Sequence, residues 1–277
     1  MKRALLLVTL VVATALVAAG ARGAGEKGPN RFDSKRAVAF LRWQVELGPR
    51  PAGSAASRTL AARLVKLLPG AHYQPVPGGL RNVVYTVRGR DPKRFVVVGA
   101  HYDTKDYPGF VGANDGASGV AAVYELARGL RPRTVRPNVV FVFFDGEESP
   151  DDSNFEANGM RGSKVAARAF RRARAMILLD MIGDRNLRIP REQGSNERVF
   201  ARVRASASRV GAAPVFAGST GTILDDHVPF ARAAVSSVDL IDFSFSCWHK
   251  PCDDLTAVSA ASLDVVGETV ADVLRGF

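Results

Sequence analysis

Cysteine is almost missing from this chain: Cys247 and Cys252 are the only two among 277 residues. That excludes a small disulfide-built scaffold, and with no second cysteine pair it disfavours a thiolate metal site. Histidine is nearly as scarce, with only His72, His101, His227 and His249. Lysine supplies eight of the 38 basic residues and arginine the other thirty, so part of the +11 net charge can reflect composition rather than function. The arginines are scattered, and the densest group (Arg168, Arg171, Arg172, Arg174) reads as the solvated end of a helix. A nucleic-acid partner, which wants one basic stripe interleaved with aromatics, is therefore not expected. Repeats and low-complexity segments are absent after the first twenty residues. The 47% hydrophobic and 23% charged content is ordinary for a globular chain and excludes collagen-like, disordered and multi-span membrane classes. The length admits one large α/β domain or two small ones.

What is present begins with a basic start, Met1-Lys2-Arg3, and an uncharged run from Ala4 to Ala21. The run Ala4–Ala19 fits a signal-peptide core better than a full membrane span, which needs ~20 apolar residues. Residues 1–21 are thus expected to be an export signal, with an uncleaved N-terminal anchor as the alternative. Either places the remainder outside the cytoplasm, secreted or membrane-anchored. Residues 22–32 (RGAGEKGPNRF) read as a linker, and 33–277 as a single domain. In an oxidising compartment Cys247 and Cys252 are expected to close a small disulfide loop around Trp-His-Lys-Pro.

Apolar residues at helical spacing (Ala37, Phe40, Leu41, Val45, Leu47, then Leu60, Leu64, Leu67) predict two helices separated by Gly48-Pro-Arg-Pro51. Asn82–Val87 and Phe95–Ala100 are β-branched runs. Beyond them helices over Ala117–Leu130, Met160–Arg172, Asn196–Val210 and Ser259–Leu274 alternate with strands at Val139–Phe144, Met176–Met181 and Val235–Ile241. Continuous apolar strands alternating with helices predict a three-layer α/β/α sandwich around a mixed, mostly parallel sheet.

In such sheets ligands bind beyond the carboxyl ends of the strands, and the chemically notable residues fall there. His101 and Asp103 are two apart on an extended segment, so the carboxylate is expected to accept from the second ring nitrogen, as around metal-bound histidines. Alone, His-x-Asp reads better as a satisfied surface histidine. Asp115, just before the Ala117 helix, is either an N-cap or a carboxylate ligand to one metal or a bridge between two. Glu147 and Glu148 end a buried strand, where adjacent carboxylates are costly unless a cation sits beside one or one is protonated. A metal at Glu148 would leave Glu147 as proton carrier. Asp180 repeats the acid-after-strand pattern. Asp225 competes between capping a short helix and facing a site. His249 follows Trp248 within the cysteine loop.

The set HYDT (101–104), FVGANDGASGVA (110–121), FFDGEES (143–149), a Gly-Ser before a helix (162–163), LLDMIG (178–183), DDHVPF (225–230) and WH (248–249) resembles the M28 family of zinc exopeptidases and their relatives, the glutaminyl-peptide cyclotransferases. LGPRPAGS (47–54), FFDGEE, DDHVPF and WH lean toward the cyclotransferases, whereas NDGASG is the form expected in the peptidases. The resemblance implies a zinc exopeptidase-like fold over roughly 34–276, with zinc held by Asp115, Glu148 and His249. It implies Glu147 as general acid/base, Asp180 and Asp225 in a hydrogen-bonded acidic network, and Trp248 as an apolar wall beside the substrate. Phe155 stands at best where the cyclotransferases place a pocket tryptophan. In the dizinc aminopeptidases the positions of His101 and Asp180 hold a second zinc, with Asp115 bridging, and both are intact here. The preferred expectation is a monomeric cyclotransferase with one zinc, converting N-terminal glutamine of peptides and proteins to pyroglutamate. The alternative is an aminopeptidase with two. A non-catalytic relative is a third reading, disfavoured because no ligand position has been lost.

Overall fold

The computed structural model describes residues 31–277; the expected export signal and residues 22–30 of the expected linker lie outside the described residues. Strand β1 (His72–Val76), β2 (Leu80–Val87), β3 (Asp91–His101), β4 (Pro137–Phe144), β5 (Met176–Asp180) and β8 (Ser237–Ile241) form one sheet in the order β1-β2-β4-β3-β5-β8. The four strands β4, β3, β5 and β8 run parallel, and β2 and β1 continue the sheet antiparallel. Two short strands, β6 (Arg191–Glu192) and β7 (Ser219–Thr220), pair separately.

Side-chain alternation divides the core into two layers. Val139, Phe141 and Phe143 of β4 face one side, with Val96 and Val98 of β3 and Ile177 and Leu179 of β5. Helices α1 (Ser34–Glu46), α2 (Ala55–Leu67), α3 (Ala117–Gly129), α6 (Glu197–Arg209) and α8 (Ala260–Arg275) cover that face. Val140, Val142 and Phe144 face the other side, under α5 (Arg161–Ala169) and α7 (His227–Arg232), while α4 (Phe155–Asn158) is a single surface turn. The fold is the expected three-layer sandwich. Asn196 and Ser259 cap α6 and α8, as their positions at the predicted helix starts suggest. Strand β1 carries no readable signal because only Val76 of HYQPV is buried, as suits a sheet edge.

Packing begins before residue 33. The backbone N–H groups of Arg31 and Phe32 both donate to Glu268 Oε1, at 2.5 and 2.7 Å. The Phe32 ring is buried against α8 at Gly267, where a Cβ atom would stand 2.3 Å from it. The last two residues of the expected linker therefore belong to the domain. Phe32→Ala is expected to cost about 3–5 kcal/mol, the usual loss for a fully buried phenyl ring, measured as a lower urea midpoint at unchanged m-value.

Glycine also sets where α3 sits. A Cβ on Gly119 would lie 2.2 Å from the Leu179 carbonyl oxygen, so its absence lets the helix press on the end of β5. That contact brings the turn before α3, with Asp115, beside Asp180. Among the described residues no helix is long and apolar enough to cross a membrane.

Candidate metal centre and cavity

His101 ends β3, Asp180 ends β5, and the segment 145–148 follows β4, so the parallel register delivers all three to one edge. Asp115 is not a helix cap: Gly116 holds that position at φ 89°, with no side-chain capping bond. The freed carboxylate reaches both ways. Its Oδ1 lies 3.2 Å from His101 Nε2 and its Oδ2 3.4 Å from His249 Nε2. His249 Nε2 is also 3.3 Å from Glu148 Oε1, and His101 Nε2 is 3.2 Å from Asp180 Oδ1. Two triads result, Asp115/Glu148/His249 and His101/Asp115/Asp180, sharing one carboxylate.

These separations fit a metal. Ligand atoms bound at ~2.0–2.1 Å in tetrahedral geometry stand roughly 3.3–3.4 Å apart. Asp115 Oδ2 and Glu148 Oε1 are buried with no hydrogen-bond partner, which is costly for a carboxylate in a dry site without a cation. Mixed imidazole and carboxylate donors are those zinc accepts.

The supports are mostly distant in sequence. His101 Nδ1 lies 3.1 Å from the Asp103 carbonyl oxygen, which favours a proton on that nitrogen and leaves Nε2 for a ligand. The expected partner, the Asp103 carboxylate, stands 3.9 Å away and is engaged elsewhere. It accepts from the backbone N–H groups of Gly146, Glu147 and Glu148, at 2.9, 3.1 and 3.1 Å. The carboxylate of Asp253 accepts from Asn114 N–H at 2.6 Å and Asp115 N–H at 3.0 Å. Buried Arg50, from the LGPRPAGS motif, donates to the carbonyls of Gln44, Gly48, Val111 and Gly112. Lys105 Nζ is 3.5 Å from Glu148 Oε2 and donates to the Ser149 carbonyl at 2.9 Å. Its side lies opposite Oε1, the oxygen turned to His249.

Cys247 and Cys252 are disulfide-bonded, closing the loop that carries Trp248 and His249. His249 adopts φ 54°, and Met181, directly after Asp180, φ 45°. Left-handed backbone at non-glycine residues costs on the order of 1–3 kcal/mol and persists where surroundings enforce it. Here the disulfide closes the loop, Tyr107 and Phe110 meet the imidazole edge-on at 5.8 Å, and Trp248 stacks on it at 4.4 Å.

A cavity of about 470 Å³ opens above the centre. Asp115, Glu147, Glu148, Asp180 and Asp225 line its acidic part. Phe155, Met181, Ile223, Leu224, Phe243 and Trp248 give it apolar walls. Leu224, Phe243 and Trp248 are 45%, 46% and 42% exposed, so the rim offers apolar surface to an arriving chain. The structure thus brings every sequence-predicted site residue to one place, and adds Phe243, Leu224 and Lys105.

Burial, and after it the Glu148 carboxylate, pushes Glu147 well above the usual glutamate range. Burial, then Asp239 and Asp180, does the same to Asp225. Asp225 does not cap α7; Asp226 holds that position. Asp180 and Asp225 both face the cavity but are engaged elsewhere: Asp180 Oδ1 lies 3.2 Å from His101 Nε2, and Asp225 Oδ1 accepts from the Asp226 N–H at 2.5 Å while its Oδ2 is buried without a partner. Behind them His227 lies between Asp239, 3.6 Å from Nδ1, and Glu192, 3.3 Å from Nε2. Asp239 and Glu192 carried no distinct sequence signal, since each is a lone acid on an ordinary strand.

The profile of peptidase family M28 matches residues 82–274. A glutaminyl-peptide cyclotransferase of Bos taurus is 30% identical over 233 residues, 68% of this chain; the match spans 64% of that relative's length. Among solved structures, the glutaminyl cyclase of Porphyromonas gingivalis superposes with TM-score 0.80 at 29% identity, covering 89% of this chain and 99% of the other. A leucine aminopeptidase precursor from Bacteroides thetaiotaomicron gives the same TM-score, 0.80, at 27% identity over 89% and 98%.

Proposed function

The chain belongs to peptidase family M28, and we propose that it is an exported, zinc-dependent glutaminyl-peptide cyclotransferase acting on N-terminal glutamine of peptides and proteins. The observation that carries this reading is the Asp115/Glu148/His249 triad, at tetrahedral spacing beneath an apolar-walled cavity, with Glu147 beside it. Resemblance to cyclotransferases in sequence and structure supports it.

A zinc ion held by Asp115, Glu148 and His249 would supply Lewis acidity toward the γ-amide carbonyl of the glutamine. The substrate's α-amine attacks the γ-carbon, a five-membered lactam forms, and the bond to the amide nitrogen breaks to release ammonia. Glu147 takes a proton from the attacking amine and gives it to the departing nitrogen, so it ends the cycle unchanged. A carboxyl raised toward neutrality by burial suits that two-way transfer. Asp225 and Asp180 border the same space and orient the α-amine and the leaving amide nitrogen through hydrogen bonds. Trp248 and Phe155 flank the glutamine side chain and keep water from competing with the internal amine.

A second reading, a dizinc aminopeptidase, is favoured by one specific observation: His101, Asp115 and Asp180 form a second triad at the same spacing. In that case Glu147 takes the proton of an attacking water. Zinc per chain, measured together with ammonia release from Gln-peptides and residue release from unblocked peptides, separates the two. One zinc with pyroglutamate and ammonia is expected; two zincs with free amino acids would overturn the cyclotransferase reading in favour of the peptidase.

A further inference from the structure

The arginines that look scattered in the sequence are gathered in space. Segments 88–94, 131–136 and 171–174 carry ten cationic residues and one acid, Asp91. All three lie at the end of the sheet where the parallel strands begin. They are joined directly: Arg133 N–H donates to the Arg88 carbonyl at 2.8 Å, Asp91 N–H to the Arg136 carbonyl at 2.8 Å, and Arg174 N–H to the Phe95 carbonyl at 2.9 Å. Arg88, Arg90 and Arg133 line one surface cleft. Asp91 is already engaged by Arg94 at 3.3 Å and Arg136 at 4.0 Å. Arg88, Arg90, Arg133 and Arg174 are exposed, and none of their side chains joins an ion pair among the described residues.

We propose that this end of the molecule is a membrane-facing surface that seats the domain on anionic phospholipid. Two observations favour lipid. The cations are exposed and almost unopposed, which is the charge an anionic bilayer surface attracts. The three segments contain no aromatic residue on which a nucleic-acid base would stack. The orientation then follows from β3. Its start lies at the basic face and its end, His101, at the metal centre, roughly 30 Å away at the usual rise for eleven residues. The cavity opens away from the lipid, toward dissolved peptides.

The test is co-sedimentation of the full-length protein with phosphatidylcholine vesicles, with and without phosphatidylglycerol. Binding is expected to be much tighter to the anionic vesicles and to be released at high salt. Each basic residue near such a surface contributes about fivefold. The quadruple variant R88S/R90S/R133N/R174S should therefore lose at least about a hundredfold in partitioning, with thermal melting and turnover of a soluble peptide unchanged. Asparagine is chosen at 133 because that residue sits at φ 61°. If the quadruple variant fails to fold, K93S/R171S/R172S provides the same test, with an expected loss of at least about thirtyfold. Equal binding to neutral and anionic vesicles would overturn the proposal, as would unchanged partitioning of a folded variant. Tighter binding to duplex DNA or RNA than to phosphatidylglycerol vesicles would overturn it in favour of a nucleic-acid surface.

Discussion

Glu147→Gln is expected to lower kcat by about 10²–10⁴, the range typical of a lost general acid–base group, while the zinc content per chain stays as in the parent. The change is nearly isosteric, and the backbone N–H of residue 147 still donates to Asp103, so the turn and Glu148 keep their places. KM should move little, because apolar walls rather than Glu147 hold the substrate. The pH profile carries the sharper signature. Glu147 must be ionised to accept the first proton, so activity falls as pH drops through its folded-state pKa. Burial and the Glu148 carboxylate raise that pKa, which places the acid limb above the ordinary glutamate range; in the variant that limb should vanish. Parent-like turnover in Glu147→Gln would remove it from the mechanism and leave Asp225 as the proton carrier.

Asp115→Ala is expected to abolish both zinc binding and turnover, since this carboxylate serves both triads. Asp180→Ala discriminates further: the cyclotransferase reading keeps one zinc, whereas the dizinc reading loses one of two. Full zinc occupancy in Asp115→Ala would refute the ligand assignment outright. Removal of the metal also has a predictable pH dependence. Burial pushes Asp226 up to about 7, Asp253 up to about 7 and Asp103 up to about 8. Groups whose folded pKa is raised bind protons more tightly in the native state than in the unfolded one. Their contribution is fully present below the unfolded value near 4 and is lost as pH rises toward 7–8. The melting temperature of chelator-treated protein should therefore fall across that window. Zinc, binding the native state, should restore it.

Much of this was legible in the sequence. Val139–Phe144 is buried on both faces, so its continuous apolar run announced a central strand, and the acids after such strands announced the edge where ligands gather. Pairings were not legible where partners are remote. Asp103 looked like the acceptor for the histidine two residues away, yet it binds a turn more than forty residues on. Asp225 looked bonded to Asp180, yet its Oδ1 accepts from the N–H of the next residue, and Asp180 turns to His101. The linker ended two residues early because nothing in Asn-Arg-Phe reveals Gly267 opposite the phenyl ring. Basic residues in three separate loops gave no pattern until the strand order brought them together.

The turn clasped by Asp103 has a mechanical consequence. Glu147 and Glu148 are consecutive residues, and one carboxylate grips the amides of both together with that of Gly146. The distance from proton carrier to metal seat is thus fixed by a peptide unit, not by a soft interface between separately moving parts. Thermal swaying of the rim can widen or narrow the doorway, yet the two carboxylates should ride through it as one stiff body.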